Sequence, residues 1–158
     1  VNGFSKCYAM TGWRVGYAVG SRSIISGMVK MQQNIAICPS AFTQKGAIEA
    51  LRGPQDSVLR MVSELEKRRD SVVEGLSEVR DFSVIKPKGA FYVFAEITGL
   101  GKSSQQLADY LLTEAKVVTT PGIAFGENGE GYLRISYATS IENITEGLAR
   151  IRQSVDSL

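Results

Sequence analysis

The sequence contains no histidine. That absence removes Ser-His-Asp and Cys-His nucleophile systems, histidine metal sites and the commonest general base. Proton-transfer chemistry in this chain falls to lysine, carboxylate and tyrosine, with lysine the leading candidate. Cysteine is nearly absent too. Cys7 and Cys38 are the only two, with no C-x-x-C spacing, which argues against a disulfide scaffold and against structural zinc. Two unpatterned cysteines point to a reducing, cytoplasmic compartment. Excess charge is missing as well. Eighteen basic residues against sixteen acidic ones leave a net charge of +2, and the basic residues are scattered, so neither nucleic acid nor an anionic membrane is indicated as a partner. No apolar run approaches the ~20 residues that a bilayer span needs, and nothing reads as a secretory leader.

The remainder is an ordinary globular composition. The 158 residues are 44% hydrophobic and 22% charged, enough for a sizeable core. "RVGYAV", Arg14 to Val19, reads as a short strand. Ser21 or Ser23 then caps a helix whose apolar face holds Ile24, Ile25, Met28, Val29 and Ile35. Pro39 breaks it, and a second helix runs from about Ala41 to Leu51. Gly53-Pro54 is the clearest punctuation in the chain. A long helix follows, roughly Gln55 to Val79, with a solvated charge cluster from Glu64 to Asp70. Strands then dominate: "FSVI", the aromatic "GAFYVFAEI", "KVVTTPG" and "GYLRISYA". In the last, Leu133, Ile135 and Tyr137 face one way and Tyr132, Arg134 and Ser136 the other. A helix opening at Ser103 or Ser104 lies among these strands. A final helix opens at Thr139, which has capping-box spacing to Glu142, and carries an apolar stripe of Ile141, Ile144, Leu148, Ile151 and Val155.

The most chemical-looking stretch is "GFSKCYAMTGWRVGY", Gly3 to Tyr17. A partly desolvated lysine amine near another cation is a nucleophile toward carbonyls. Lys6 has such a neighbour in Arg14, whose planar fork suits phosphate or carboxylate. Ser5 can add a hydroxyl to a phosphate, and Gly12 permits close backbone approach. A cofactor bearing an aldehyde and a phosphate would be met by this set. On spacing alone, Lys6 and Arg14 are more often two solvated surface cations.

The whole string closely resembles the pyridoxal-phosphate lysine motif of the class I aminotransferases, the aspartate aminotransferase family, in the form "SK-x-x-AMTGWR-x-GY". The resemblance implies that Lys6 is the Schiff-base lysine and that Arg14 binds the cofactor phosphate, with Ser5 beside it. A second, independent match is "PGIAFGENGEGYLRISYATS", Pro121 to Ser140, which resembles the family's C-terminal signature. It implies that Arg134 grips the substrate α-carboxylate. "KPKGAFYVF" also resembles a strand of the family's small domain. The implied architecture is α/β, the C-terminal part of a fold-type I pyridoxal-phosphate transferase. Residues 1–53 would end the large cofactor-binding domain and residues 54–158 would form the small α+β domain.

The implied activity is transfer of an amino group from an L-amino acid, of aspartate/glutamate or aromatic type, to a 2-oxo acid. The implied cofactor is pyridoxal 5′-phosphate and the implied parent a homodimer. A lyase of the same scaffold, aminocyclopropane-carboxylate-synthase-like, and a catalytically inactive fragment are the alternatives. The stretch near "NIAICPSAFTQ" has no arginine to read a distal carboxylate, so substrate choice stays open. Because the resemblance reaches only the C-terminal part of the family's chain, the sequence reads as a fragment without the pyridinium aspartate, ring-stacking aromatic and phosphate loop. Expressed alone, such a chain should be inactive, and poorly soluble or self-associating, because its first strand and helices lack sheet neighbours.

Overall fold

The structure, a computed structural model, describes residues 1–158. The chain forms two compact units, Val1–Met61 and Val62–Leu158. No helix is long and apolar enough to cross a membrane.

In the first unit, β1 (Asn2–Gly3) pairs antiparallel with β2 (Gly16–Tyr17). Gly16 is required there, because a Cβ would stand 2.9 Å from the Asn2 carbonyl oxygen. The strand expected over Arg14 to Val19 is therefore only two residues long. Arg14 itself lies outside it, in the left-handed region at φ 50°, which no strand accommodates. Helix α1 (Arg22–Ile35) follows Ser21, which occupies the N-cap position but makes no side-chain capping bond. The helix has the expected apolar stripe, yet none of its residues is buried, and Ile24, Met28, Val29 and Ile35 are exposed. Helix α2 (Ala41–Arg52) instead contributes to a small core, where Ala47 packs with Phe4 and Met10.

Helix α3 (Asp56–Ser77) matches the long helix expected after Gly53-Pro54. Its charge cluster forms surface pairs such as Arg68–Glu64 at 3.0 Å, each contributing about 1 kcal/mol or less. The second unit is a two-layer sandwich. Four antiparallel strands, β3 (Ser83–Val84), β4 (Tyr92–Glu96), β5 (Thr120–Pro121) and β6 (Tyr132–Ser136), lie in the order β3-β4-β6-β5. The edge strands have two residues each, and Pro121 sits on one of them, where a missing donor is harmless. One sheet face carries Val93, Ala95, Leu133 and Ile135. It buries them against Leu76 of α3, Leu107 of α4 (Ser104–Tyr110) and Ile144 and Ile151 of α5 (Ile141–Asp156). The alternation expected for β6 holds, with Leu133, Ile135 and Tyr137 buried. Helix α4 opens with a complete capping box between Ser103 and Gln106 and continues as a π-helical turn over Leu111–Ala115. The cap of α5 differs from expectation. Ser140, not Thr139, accepts from the Asn143 amide at 3.3 Å, since adjacent hydroxyls offer two registers and Ser140, with extended backbone (φ −67°, ψ 159°), stands directly before Ile141.

Candidate functional site

The residues singled out in the first unit all lie on the connection between β1 and β2. A buried phenylalanine and a half-buried tyrosine hold its start. Phe4 is 2% exposed, and its amide donates to the Val15 carbonyl at 3.4 Å. Tyr8 donates its amide to the Phe4 carbonyl and its hydroxyl to Gln55 Oε1 at 3.2 Å. Between these anchors sit Ser5, half-buried, and Lys6, exposed. The turn closes when the Ala9 amide donates to the Lys6 carbonyl, with Ala9 left-handed at φ 52°. A single 3-10 turn, Thr11–Trp13, leads into Arg14. The Arg14 guanidinium folds back so that Nη1 donates to the Thr11 carbonyl at 2.9 Å. That bond uses one of five N–H groups and leaves the fork's remaining donors for an anion. Arg14 also borders an open cleft of about 690 Å³, shared with Gly12, Trp13 and Phe42.

Amine, hydroxyl and tethered guanidinium thus come from one short connection between paired strands. A Cβ on Gly12 would meet nothing within 4 Å, so the backbone beside Arg14 is open to a ligand. This donor set fits an aldehyde that also carries a phosphate.

In the second unit, Arg134 occupies the middle of β6, on the sheet face away from the core. The register explains its surroundings. Phe94 of β4 and Thr120 of β5 stand directly opposite it on either side. Tyr92 is the diagonal neighbour two residues back along β4, on the same face. The guanidinium carbon lies 4.5 Å from the Tyr92 ring centre and 4.8 Å from that of Phe125, and Nη2 donates to Thr120 Oγ1 at 3.2 Å. Cation–π contact of this kind contributes about 0.5–2 kcal/mol each. It also fixes the plane of the fork, leaving its edge to meet a planar acceptor.

Reading the sequence singled out Arg134 but not the residues that hold it. Tyr92, Phe125 and Thr120 become its partners through strand register and a loop, and the only local hint is the aromatic density of "FYVF". Glu130 and Ser104 were also missed as a pair. The Glu130 carboxylate accepts from the Ser104 amide at 2.6 Å and from its hydroxyl at 2.8 Å, and these bonds, with that from the Gly131 amide, hold Glu130 below the usual carboxylate range.

The comparisons with known proteins point the same way. The family model for aminotransferase class I and II matches residues 1–151. The chain belongs to this aminotransferase family. A Rickettsia felis protein named "Probable aspartate/prephenate aminotransferase" is 45% identical, the match covering 100% of this chain and 41% of that protein. "Aromatic-amino-acid aminotransferase 2" of Thermococcus litoralis is 44% identical over 97% of this chain and 40% of its own length. The crystal structure of an aromatic aminotransferase from Pyrococcus horikoshii superposes with a TM-score of 0.94 at 42% identity, covering 98% of this chain and 42% of that one. The chain spans about 40% of the length of these aminotransferases. Its fold is that portion of the fold-type I transferase architecture.

Proposed function

We propose that the protein carrying this chain is a pyridoxal-phosphate-dependent aminotransferase, moving an amino group from an L-amino acid to a 2-oxo acid. The observation that carries the reading is the single connection bearing Lys6, Ser5 and a tethered Arg14, in a chain matched by the aminotransferase family over residues 1–151. When bound, pyridoxal phosphate supplies an aldehyde for amines and an electron sink for the carbanion left by deprotonation. Lys6 Nζ would be the amine that holds the cofactor through its aldehyde, and the same amine, when free, would carry the substrate's Cα proton. Arg14 and Ser5 hold the phosphate, and Arg134 holds the substrate α-carboxylate by its open edge. The substrate classes are aspartate/glutamate and aromatic amino acids, and the relatives' names support the aspartate and aromatic parts of that reading. Residues 1–53 are assigned to the cofactor-binding domain and 54–158 to the small domain. The working form is a cytoplasmic homodimer.

The test is to mix the protein with pyridoxal phosphate, reduce with borohydride, and map the modified peptide by mass spectrometry. A pyridoxyl group on Lys6 supports the assignment. Modification elsewhere, or none in the complete protein, refutes it. Product analysis separates transfer from the elimination expected of a lyase: a new amino acid and a 2-oxo acid, against released ammonia.

A further inference from the structure

We propose that Glu130 and Ser104 form a positioning clamp that holds Phe125 over Arg134, and so sets the affinity of the site for the substrate carboxylate. The proposal rests on the reading of Arg134 as the carboxylate-binding residue. Neither Glu130 nor Ser104 reaches the guanidinium, and both act through the loop that joins β5 to β6.

Three observations combine. First, the loop is pinched at its neck. Gly122 and Gly129 approach so closely that a Cβ on either would run into the other's carbonyl, so both must be glycine. Second, the pinched loop is fastened at both ends to one buried hydroxyl. Ser104, with 0% exposure, gives its amide and its Oγ to the Glu130 carboxylate at 2.6 and 2.8 Å. The same Oγ accepts from the Ile123 amide at 3.3 Å. A hydroxyl has one proton and two lone pairs, so donating to Glu130 while accepting from Ile123 is self-consistent. Third, the loop carries only one aromatic ring, and the ring is used. Phe125 packs edge-on to Phe94 at 6.0 Å and lies over the Arg134 guanidinium. Phe125 is itself 51% exposed. Its own packing therefore holds it weakly, and the fastened loop must do the rest.

The consequence is a specific division of labour. Tyr92 belongs to the sheet and stays against the Arg134 guanidinium regardless of the loop. Phe125 stays against it only while Glu130 keeps the loop down. Releasing the loop lets the guanidinium swing, which costs carboxylate affinity without touching the chemistry at Lys6.

The test uses the complete protein loaded with pyridoxal phosphate, with L-aspartate and L-phenylalanine as probes sharing only the α-carboxylate and α-amine. Glu130→Ala and Phe125→Leu are each expected to raise KM for both probes by about tenfold, the size of a lost positioning contact, with kcat at saturation little changed. The double variant should be no worse than either single one. Glu130→Gln keeps an acceptor oxygen for the Ser104 amide and should recover most of the loss. A readout independent of turnover is the rate at which phenylglyoxal modifies Arg134 in cofactor-free protein, mapped by mass spectrometry. It should rise in Glu130→Ala and Phe125→Leu and return in Glu130→Gln. Losses that add in the double variant, or an unchanged phenylglyoxal rate, overturn the clamp. If Arg134→Gln leaves KM for both probes unchanged, the carboxylate reading of Arg134 fails instead, and the phenylglyoxal rates still judge the clamp.

Discussion

Gly46 lies in the middle of α2, and alanine there sets two effects of known size against each other. A helix-interior glycine replaced by alanine gains about 1 kcal/mol from reduced backbone entropy in the unfolded chain. A Cβ at Gly46, however, would stand 2.6 Å from Trp13 Cζ3, with Cε3 and Cη2 both at 3.2 Å. An indole cannot bend, so the whole ring must retreat by roughly 1 Å to restore van der Waals separation. Overpacking of this kind costs about 1–3 kcal/mol, so the net change for Gly46→Ala runs from near zero to about 2 kcal/mol destabilising. Gly147→Ala in α5 is the control, because a Cβ there meets nothing within 4 Å and the full gain of about 1 kcal/mol should appear. The clash also reaches the site. Trp13 immediately precedes Arg14 on a single 3-10 turn, so a displaced ring displaces the guanidinium tethered to Thr11. Misplacement of a binding group by about 1 Å is enough to lose tenfold or more, and pyridoxal-phosphate affinity should fall accordingly. Urea unfolding of both variants, with cofactor titration by absorbance, reads both effects. If Gly46→Ala stabilises as much as Gly147→Ala and binds cofactor normally, the packing of Trp13 on α2 does not position Arg14.

Three further outcomes follow from the same geometry. Leu76→Ala empties a site with 0% exposure at the centre of the second unit and should cost about 2–5 kcal/mol in denaturant titration. Arg134→Lys keeps the charge but loses the planar fork that lies against the Tyr92 and Phe125 rings, so kcat/KM should drop by about tenfold or more, and a drop no larger than twofold would show that the fork geometry is irrelevant. Glu130 has a depressed value when folded, so its stabilising contribution is present above the unfolded carboxylate value and is lost as pH falls through the folded one. Glu130→Gln should therefore flatten the acid limb of the stability–pH curve and leave the neutral limb's slope unchanged.

Where one face of an element is buried, its pattern was legible. The period-two alternation of β6 put Leu133, Ile135 and Tyr137 on one side, and all three are buried, because slipping the register by one residue would have exposed them. Helix α3 was legible for the same reason, although its last turn stops at Ser77 rather than Val79. Val79 is nonetheless buried, its amide held by the Leu76 carbonyl in a tighter turn. The strand expected over Arg14 to Val19 failed on a property that residue types do not reveal. A β-branched and aromatic run reads as extended, yet Arg14 is left-handed as the residue that ends the 3-10 turn Thr11–Trp13. The amphipathic stripe of α1 was read correctly as a pattern, but it has no buried residue in this chain.

The site divides along the same line. Lys6, Ser5 and Arg14 are close in sequence, so the motif that contains them could be read as a unit. The setting of Arg134 is assembled from Tyr92, Thr120, Phe125 and Arg134, which come from three strands and a loop, and no local window contains their adjacency. Register decides it: Phe94 and Thr120 oppose Arg134, so Tyr92 falls on the diagonal and the loop that follows β5 falls above the guanidinium. A one-residue slip of β6 would send Arg134 into the core, where an unpaired guanidinium costs several kcal/mol. The hydrophobic pattern that makes β6 recognisable is therefore also what delivers the arginine to the open face. There its guanidinium meets the Tyr92 and Phe125 rings at cation–π distance.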